Sequence, residues 1–200
     1  ITNSGSNGTS VTALNHDAGG GGSGGSIFIN ASRIAGSGKL FARGASGGTG
    51  QGGNGGSGGG GGGGGRIALR WYDDYTFNGV VDVTGAAGGV AETNGNAGWN
   101  GTLALINVSA DELILSGPFN IESGVNLSFR SIVFKNGSRA RITHPNISVS
   151  AMNITLDYNA TISGDYFGEV GGWNLSKNGS GIGGGTTNST AAGNGAAGSG

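Results

Sequence analysis

From Asn146 to Ile162 the chain reads NISVSAMNITLDYNATI, with apolar residues alternating with polar ones. Alternation rich in β-branched residues predicts a half-buried strand, with Ile147, Val149, Ile154, Leu156 and Ile162 on one face. The pattern recurs upstream in longer units: GSIFINASRIAGSGKLFARGASGG from Gly25, GRIALRWYDDYTFNGVVDVTGAAGG from Gly65 and GTLALINVSADELILSGPFNIESG from Gly101. Each unit is a glycine, an apolar strand, a turn, a second strand and a return to glycine. The strand starts at Ile27, Ile67 and Leu103 are 40 and 36 residues apart. Three further segments, Glu112–Leu115, Ser131–Phe134 and Asn153–Leu156, align at spacings of 19 and 22 residues. Repeats that cannot bury an apolar face alone stack to bury a continuous one.

These periods predict an all-β chain, a right-handed parallel β-helix (solenoid) with long Gly-rich loops. A β-sandwich is the alternative, since short strands with turn signals also suit one. In the solenoid, Leu115, Phe134 and Leu156 form one ladder and Leu113, Ile132 and Ile154 a second. The expected organisation is a single solenoid segment of a longer chain. It has a Gly-rich lead-in at 1–26, strand units with Gly-rich insertions at 27–102, compact coils at 103–165 and a Gly-rich tail at 166–200. No apolar 3.6-residue periodicity survives over ten residues, so no helix is expected.

Composition changes the picture in two ways. Glycine supplies 49 of 200 residues, eight of them consecutive at Gly58–Gly65, with two prolines and no Gly-x-y period, which excludes collagen. Ordering such tracts costs roughly 1–2 kcal/mol per residue in backbone entropy. Only backbone hydrogen bonds and close approach can offset this, so the tracts are expected as packed, extended three-fold strands along one side of the coil or between neighbouring chains. Charged residues are only 10% and the net charge is −1, which leaves no electrostatic footprint for nucleic acid or an anionic membrane. No apolar run approaches a membrane span. Cysteine is absent, which removes disulfides and thiolate chemistry.

Twelve of the 20 asparagines begin Asn-x-Ser/Thr, where chance gives about four: Asn7, Asn30, Asn100, Asn107, Asn126, Asn136, Asn146, Asn153, Asn159, Asn174, Asn178 and Asn188. This is the acceptor sequence for N-glycosylation in secreted proteins. On a strand, an inward middle residue puts the Asn and the Ser or Thr outward together. Asn126, Asn146, Asn153 and Asn159 are the strongest candidates for glycans on an outer face. Trp99 and Trp173 each immediately precede such an asparagine, which places a ring for stacking on the first sugar or, equally, for packing on core or glycine. Asp73 and Asp74, with Tyr72 and Tyr75, could form an acid pair or part of a Ca²⁺ site, but a polar turn accounts for them better. His16 and His144 are isolated. Lys39, Arg43, Arg66, Arg70, Arg139 and Arg141 fall on the outward phase of strands. No catalytic, metal-ligating or cofactor-binding constellation is present; covalent N-linked glycans are the one addition expected.

At GGSGGSIFINASRIAGSGKLFARGASGG, GGGGGGGGRIALRW and NITLDYNATISGDYFG the chain resembles the glycine-rich, β-helix-like repeat proteins of cell surfaces and extracellular matrices, adhesin-like proteins and glycoprotein filament subunits among them. The resemblance implies an extracellular or cell-surface structural role and brings no catalytic residues. The expected function is that of a structural subunit of an N-glycosylated fibre or coat, with copies of itself as partners. The alternatives are an adhesin binding carbohydrate through Trp71, Trp99 and Trp173, and a β-helix polysaccharide lyase or hydrolase.

Overall fold

In a strand, alternate side chains face opposite sides, and Ile67, Leu69 and Trp71 accordingly share a buried face while Ala68 and Arg70 between them are half-exposed. They belong to β3 (Arg66–Phe77), which pairs in parallel with β1 (Ser26–Gly36) and β5 (Thr102–Asn107). Ile27, Ile67 and Leu103 are register partners across these three strands. Two short strands, β2 (Lys39–Phe41) and β4 (Val80–Asp82), pair in parallel as well. Ile27, Ile34, Leu40, Ala42, Ile67, Leu69 and Trp71 form the core between these elements. Burial of each large side chain contributes about 1.5–3 kcal/mol. The computed structural model describes residues 1–13, 16–51, 56–121, 126–143 and 147–164. Among them there is no helix, and so none long and apolar enough to cross a membrane.

The chain then reverses. Strand β6 (Glu112–Ser116) pairs antiparallel with β5, with Leu105 opposite Ile114. Asn107–Asp111 makes the turn: Asn107 Oδ1 accepts from the Ala110 N–H, Val108 O accepts from the Asp111 N–H, and Asp111 takes a left-handed φ of 52°. This reversal overturns the parallel β-helix. The six-stranded sheet, ordered β1-β3-β5-β6-β8-β10, is mixed, and the strands close no solenoid. A sandwich of antiparallel sheets does not describe the chain either, because β1–β3, β3–β5, β2–β4 and β6–β8 all pair in parallel.

Beyond the turn, β7 (Pro118–Ile121), β8 (Asn126–Phe134), β9 (Arg139–Ile142), β10 (Ser148–Leu156) and β11 (Thr161–Ser163) follow. Strands β7, β9 and β11 form a three-stranded sheet. Leu113 and Leu115 of β6 face Ile132 and Phe134 of β8, and all four are buried. The third rungs differ: Ile154 is 45% and Leu156 47% exposed, because β10 is the last strand of its sheet among the described residues. The one-face expectation for β10 also fails on parity. Val149 and Ile154 lie five residues apart on one strand and so point to opposite faces. By contact density the chain divides into two units, residues 1–119, 128–139 and 150–161 in one, 120–127, 140–149 and 162–200 in the other. In the second, Ile121 and Ala140 are buried and Thr143 bonds Ile121 through both backbone and hydroxyl.

Glycine fills the remainder of the first unit. Six extended tracts, residues 3–11, 18–25, 42–50, 57–65, 83–90 and 93–101 (tracts 1 to 6), bond side by side, and their donors repeat every third residue. Gly58, Gly61 and Gly64 of tract 4 donate to Thr93, Asn96 and Trp99 of tract 6, while Gly59, Gly62 and Gly65 donate to Gly48, Ala45 and Ala42 of tract 3. A three-residue period is that of the polyproline II helix, which has no internal hydrogen bonds and must find partners outside itself. Tracts 1, 3 and 5 run parallel in one row and tracts 2, 4 and 6 in a second, the two rows antiparallel. Glycine is required where tracts touch: a Cβ on Gly59 or Gly62 would overlap the carbonyl oxygen of Gly19 or Gly22.

Candidate functional site

The surface that carries the sequons is built on these tracts and on the outward phase of the strands. Asn7, Asn30, Asn100, Asn136, Asn153 and Asn159 are exposed, and Asn107 is half-buried. Asn126 begins β8, but its side chain lies outside the described residues, as do Asn146, Asn174, Asn178 and Asn188. Asn159 sits in a turn with a left-handed φ of 58°, a conformation asparagine tolerates better than most residues.

Three of these asparagines have their carbonyl oxygen fixed. Asn7 Oδ1 accepts from the Ser46 N–H at 3.2 Å, Asn100 Oδ1 from the Gly85 N–H at 3.1 Å and Asn107 Oδ1 from the Ala110 N–H at 3.1 Å. A glycan is attached through the amide nitrogen, so an acceptor bond at the oxygen leaves the attachment atom available. Asn7 is one of a series. Ser4 Oγ, Asn7 Oδ1 and Ser10 Oγ on tract 1 accept from the N–H groups of Arg43, Ser46 and Thr49 on tract 3. Those three N–H groups share the phase that faces away from the other tracts, and side chains from tract 1 close it. This series was not anticipated from the sequence. Its signal is the three-residue spacing of Ser4, Asn7 and Ser10 around Gly5 and Gly8, matched by Gly44, Gly47 and Gly50 and by Gly95, Gly98 and Gly101. Against the expectation of no Gly-x-y period, a local one is thus present in the tracts.

The three tryptophans part company. Trp71 is 7% exposed and stacks on Tyr75 with ring centroids 4.6 Å apart, so it belongs to the core. Trp99 is 74% exposed, with the Arg139 guanidinium 5.7 Å from its ring centroid. It leaves tract 6 about a third of a turn from Asn100, since neighbouring residues of a three-fold helix diverge by about 120°. Trp173 lies outside the described residues.

The candidate acid pair is a rung of the sheet. Asp74 pairs with Arg33 at 3.0 Å across β1 and β3, with Thr76 Oγ1 at 3.5 Å, while Asp73 is exposed. Arg43 lies 4.0 Å over the Phe41 ring and 3.7 Å from Asp82. Arg70 lies 5.1 Å over the Tyr72 ring. Lys39, Arg66, Arg139 and Arg141 are exposed, as is His16; His144 lies outside the described residues. Among the described residues no three acidic or histidine side chains converge. The chain matches no protein-family model, and comparisons with curated proteins and with solved structures return no significant match.

Proposed function

We propose that this chain is a structural glycoprotein of the extracellular space or cell surface, the repeating subunit of an N-glycosylated fibre or coat, and not an enzyme. One observation carries the reading: six of the seven sequon asparagines with described side chains are exposed. With only 10% charged residues, attached sugars would supply the solubility that ionic side chains supply elsewhere. The partners are copies of the chain itself, bonded through surfaces free of glycan.

Secretion of the chain from a eukaryotic cell followed by intact-glycopeptide mass spectrometry tests this. Glycans are expected at Asn7, Asn30, Asn100, Asn136, Asn153 and Asn159. Recovery of all six unmodified ends the glycoprotein reading.

The exposed ring of Trp99 favours a second reading, an adhesin module that binds carbohydrate. It rests on Trp99 alone among the described tryptophans, because Trp71 is buried. Quenching of tryptophan fluorescence by oligosaccharides, lost in Trp99→Ala, would support it over the structural role.

A further inference from the structure

A three-fold glycine helix in a packed array has six neighbours, met alternately by N–H and C=O groups. Tract 4 has four. Its N–H groups meet tracts 6 and 3, and its C=O groups meet tract 2 (from Ser57, Gly60 and Gly63) and tract 5 (from Gly59 and Gly62). The N–H groups of Gly60 and Gly63 have no acceptor among the described residues, and the C=O groups of Gly58, Gly61 and Gly64 have no donor there. Among the described residues, two adjacent positions beside tract 4 are therefore unoccupied, one lined by donors and the other by acceptors.

The opposite row shows how such a position is closed. There the corresponding N–H groups, Arg43, Ser46 and Thr49, are capped by Ser4, Asn7 and Ser10. The second row begins likewise, with Asp17 Oδ1 accepting from the Ser57 N–H at 2.9 Å. The next position along tract 2 in that phase is Gly20, which has no side chain, and Ser23, the one after it, makes no hydrogen bond to the Gly63 N–H among the described residues. Gly60 and Gly63 are also the two glycines of Gly58–Gly65 that internal packing does not require. A Cβ on Gly60 would have its nearest neighbour at 3.8 Å, one on Gly63 at 3.6 Å and one on Gly20 at 3.5 Å. The outward positions of tracts 3 and 5 all carry side chains: Arg43, Ser46, Thr49, Thr84, Ala87 and Val90.

We infer that the face of tracts 2 and 4 around Gly20, Gly60 and Gly63 is the contact between copies, occupied by the same face of a second copy. Resting on the self-association reading above, this specifies which surface associates and by what chemistry. The occupant must be a chain without side chains at the contact, offering carbonyls and N–H groups about 9.3 Å apart, three residues of a three-fold helix. A second copy of this face offers both columns. Related by a two-fold axis, each copy's donors meet the other's acceptors, which is how an isologous interface satisfies itself. The antiparallel bonding between the chain's two rows is the same interaction within one molecule.

The test uses the secreted, glycosylated chain in sedimentation velocity across a concentration series, with a thermal melt of each variant. Wild type is expected to self-associate. Gly60→Ala/Gly63→Ala is expected to stay monomeric with an unchanged or higher melting temperature, since its methyl groups fit the monomer and block only the approach of another chain. Ala87→Val, on the other row, is expected to associate as wild type does. Association of the double variant at wild-type strength, or its loss in Ala87→Val, overturns the assignment of this face and leaves self-association standing. A wild type that is monomeric at every concentration overturns self-association itself. Amide exchange needs no variant: the Gly60 and Gly63 N–H groups should exchange fast in the monomer and become protected in the assembly, while Gly59 and Gly62 are protected in both. Fast exchange of Gly60 and Gly63 in the assembly overturns the inference even if the double variant fails to fold.

Discussion

Asn7 Oδ1 accepts a hydrogen bond from the backbone N–H of Ser46, 39 residues away, at 3.2 Å. The side chain that would carry a sugar therefore also ties tract 1 to tract 3. The two roles separate by substitution. Thr9→Ala destroys the sequon and leaves Asn7 in place, whereas Asn7→Ala removes the acceptor as well. In protein stripped of glycans, Thr9→Ala should be near neutral and Asn7→Ala should cost about 0.5–1.5 kcal/mol in denaturant unfolding. Equal stability of the two variants would show that the bond contributes nothing.

The glycine tracts should answer substitution with a period of three. Ala at Gly60 or Gly63 meets no close neighbour and restricts the unfolded chain, which stabilises by about 0.4–1 kcal/mol where the native backbone accepts it. Ala at Gly59 or Gly62 overlaps a carbonyl oxygen of tract 2 and should cost about 1–3 kcal/mol or more. Unfolding midpoints of the four single variants check this, and a uniform response would refute the three-fold packing. Replacing three consecutive glycines here with valine would break the fold along with any assembly, so that substitution cannot separate the two.

The phase of β3 was legible because burial follows alternation: Ile67, Leu69 and Trp71 had to share a face. The repeat period was legible too, and the aligned starts Ile27, Ile67 and Leu103 are register partners. The turn after β5 was expected, but its antiparallel reversal was not, because Val108, Ser109 and Ala110 carry no Gly or Pro to mark a hairpin. The turn instead depends on the Asn107 cap and on Asp111 accepting a left-handed φ. Nor could sequence assign the two functions of a glycine within Gly58–Gly65. Six identical residues meet a neighbouring carbonyl and two face outward, a distinction that exists only once the tracts are side by side. The exposure of Ile154 and Leu156 likewise depends on β10 having no strand beyond it among the described residues.

The ladders end at that edge, and their energetics should grade along them. Leu115 is 1% and Phe134 0% exposed, against 47% for Leu156. Leu115→Ala should cost about 2–5 kcal/mol through lost burial and the cavity left behind. Leu156→Ala, in the same phase, should cost about 1 kcal/mol or less. Chemical denaturation of the two variants gives the comparison, and an equal cost would mean that Leu156 is covered in the working protein.

Tyr75 gives the chain a dependence on alkaline pH. Burial of its phenol disfavours the phenolate and raises its pKa above the ordinary 10.0. Its ring lies 4.6 Å from that of Trp71 and 6.5 Å from that of Phe77, so ionisation would put a charge beside the aromatic part of the core. Between pH 10 and the raised value the folded chain holds a proton that the unfolded chain has released. Stability is therefore fully present below pH 10 and falls as the pH rises through the folded value. Tyr75→Phe keeps the ring and removes the proton. Melts of wild type and Tyr75→Phe across the alkaline range should show wild type losing stability faster above pH 10, and parallel curves would show that Tyr75 is not the group responsible.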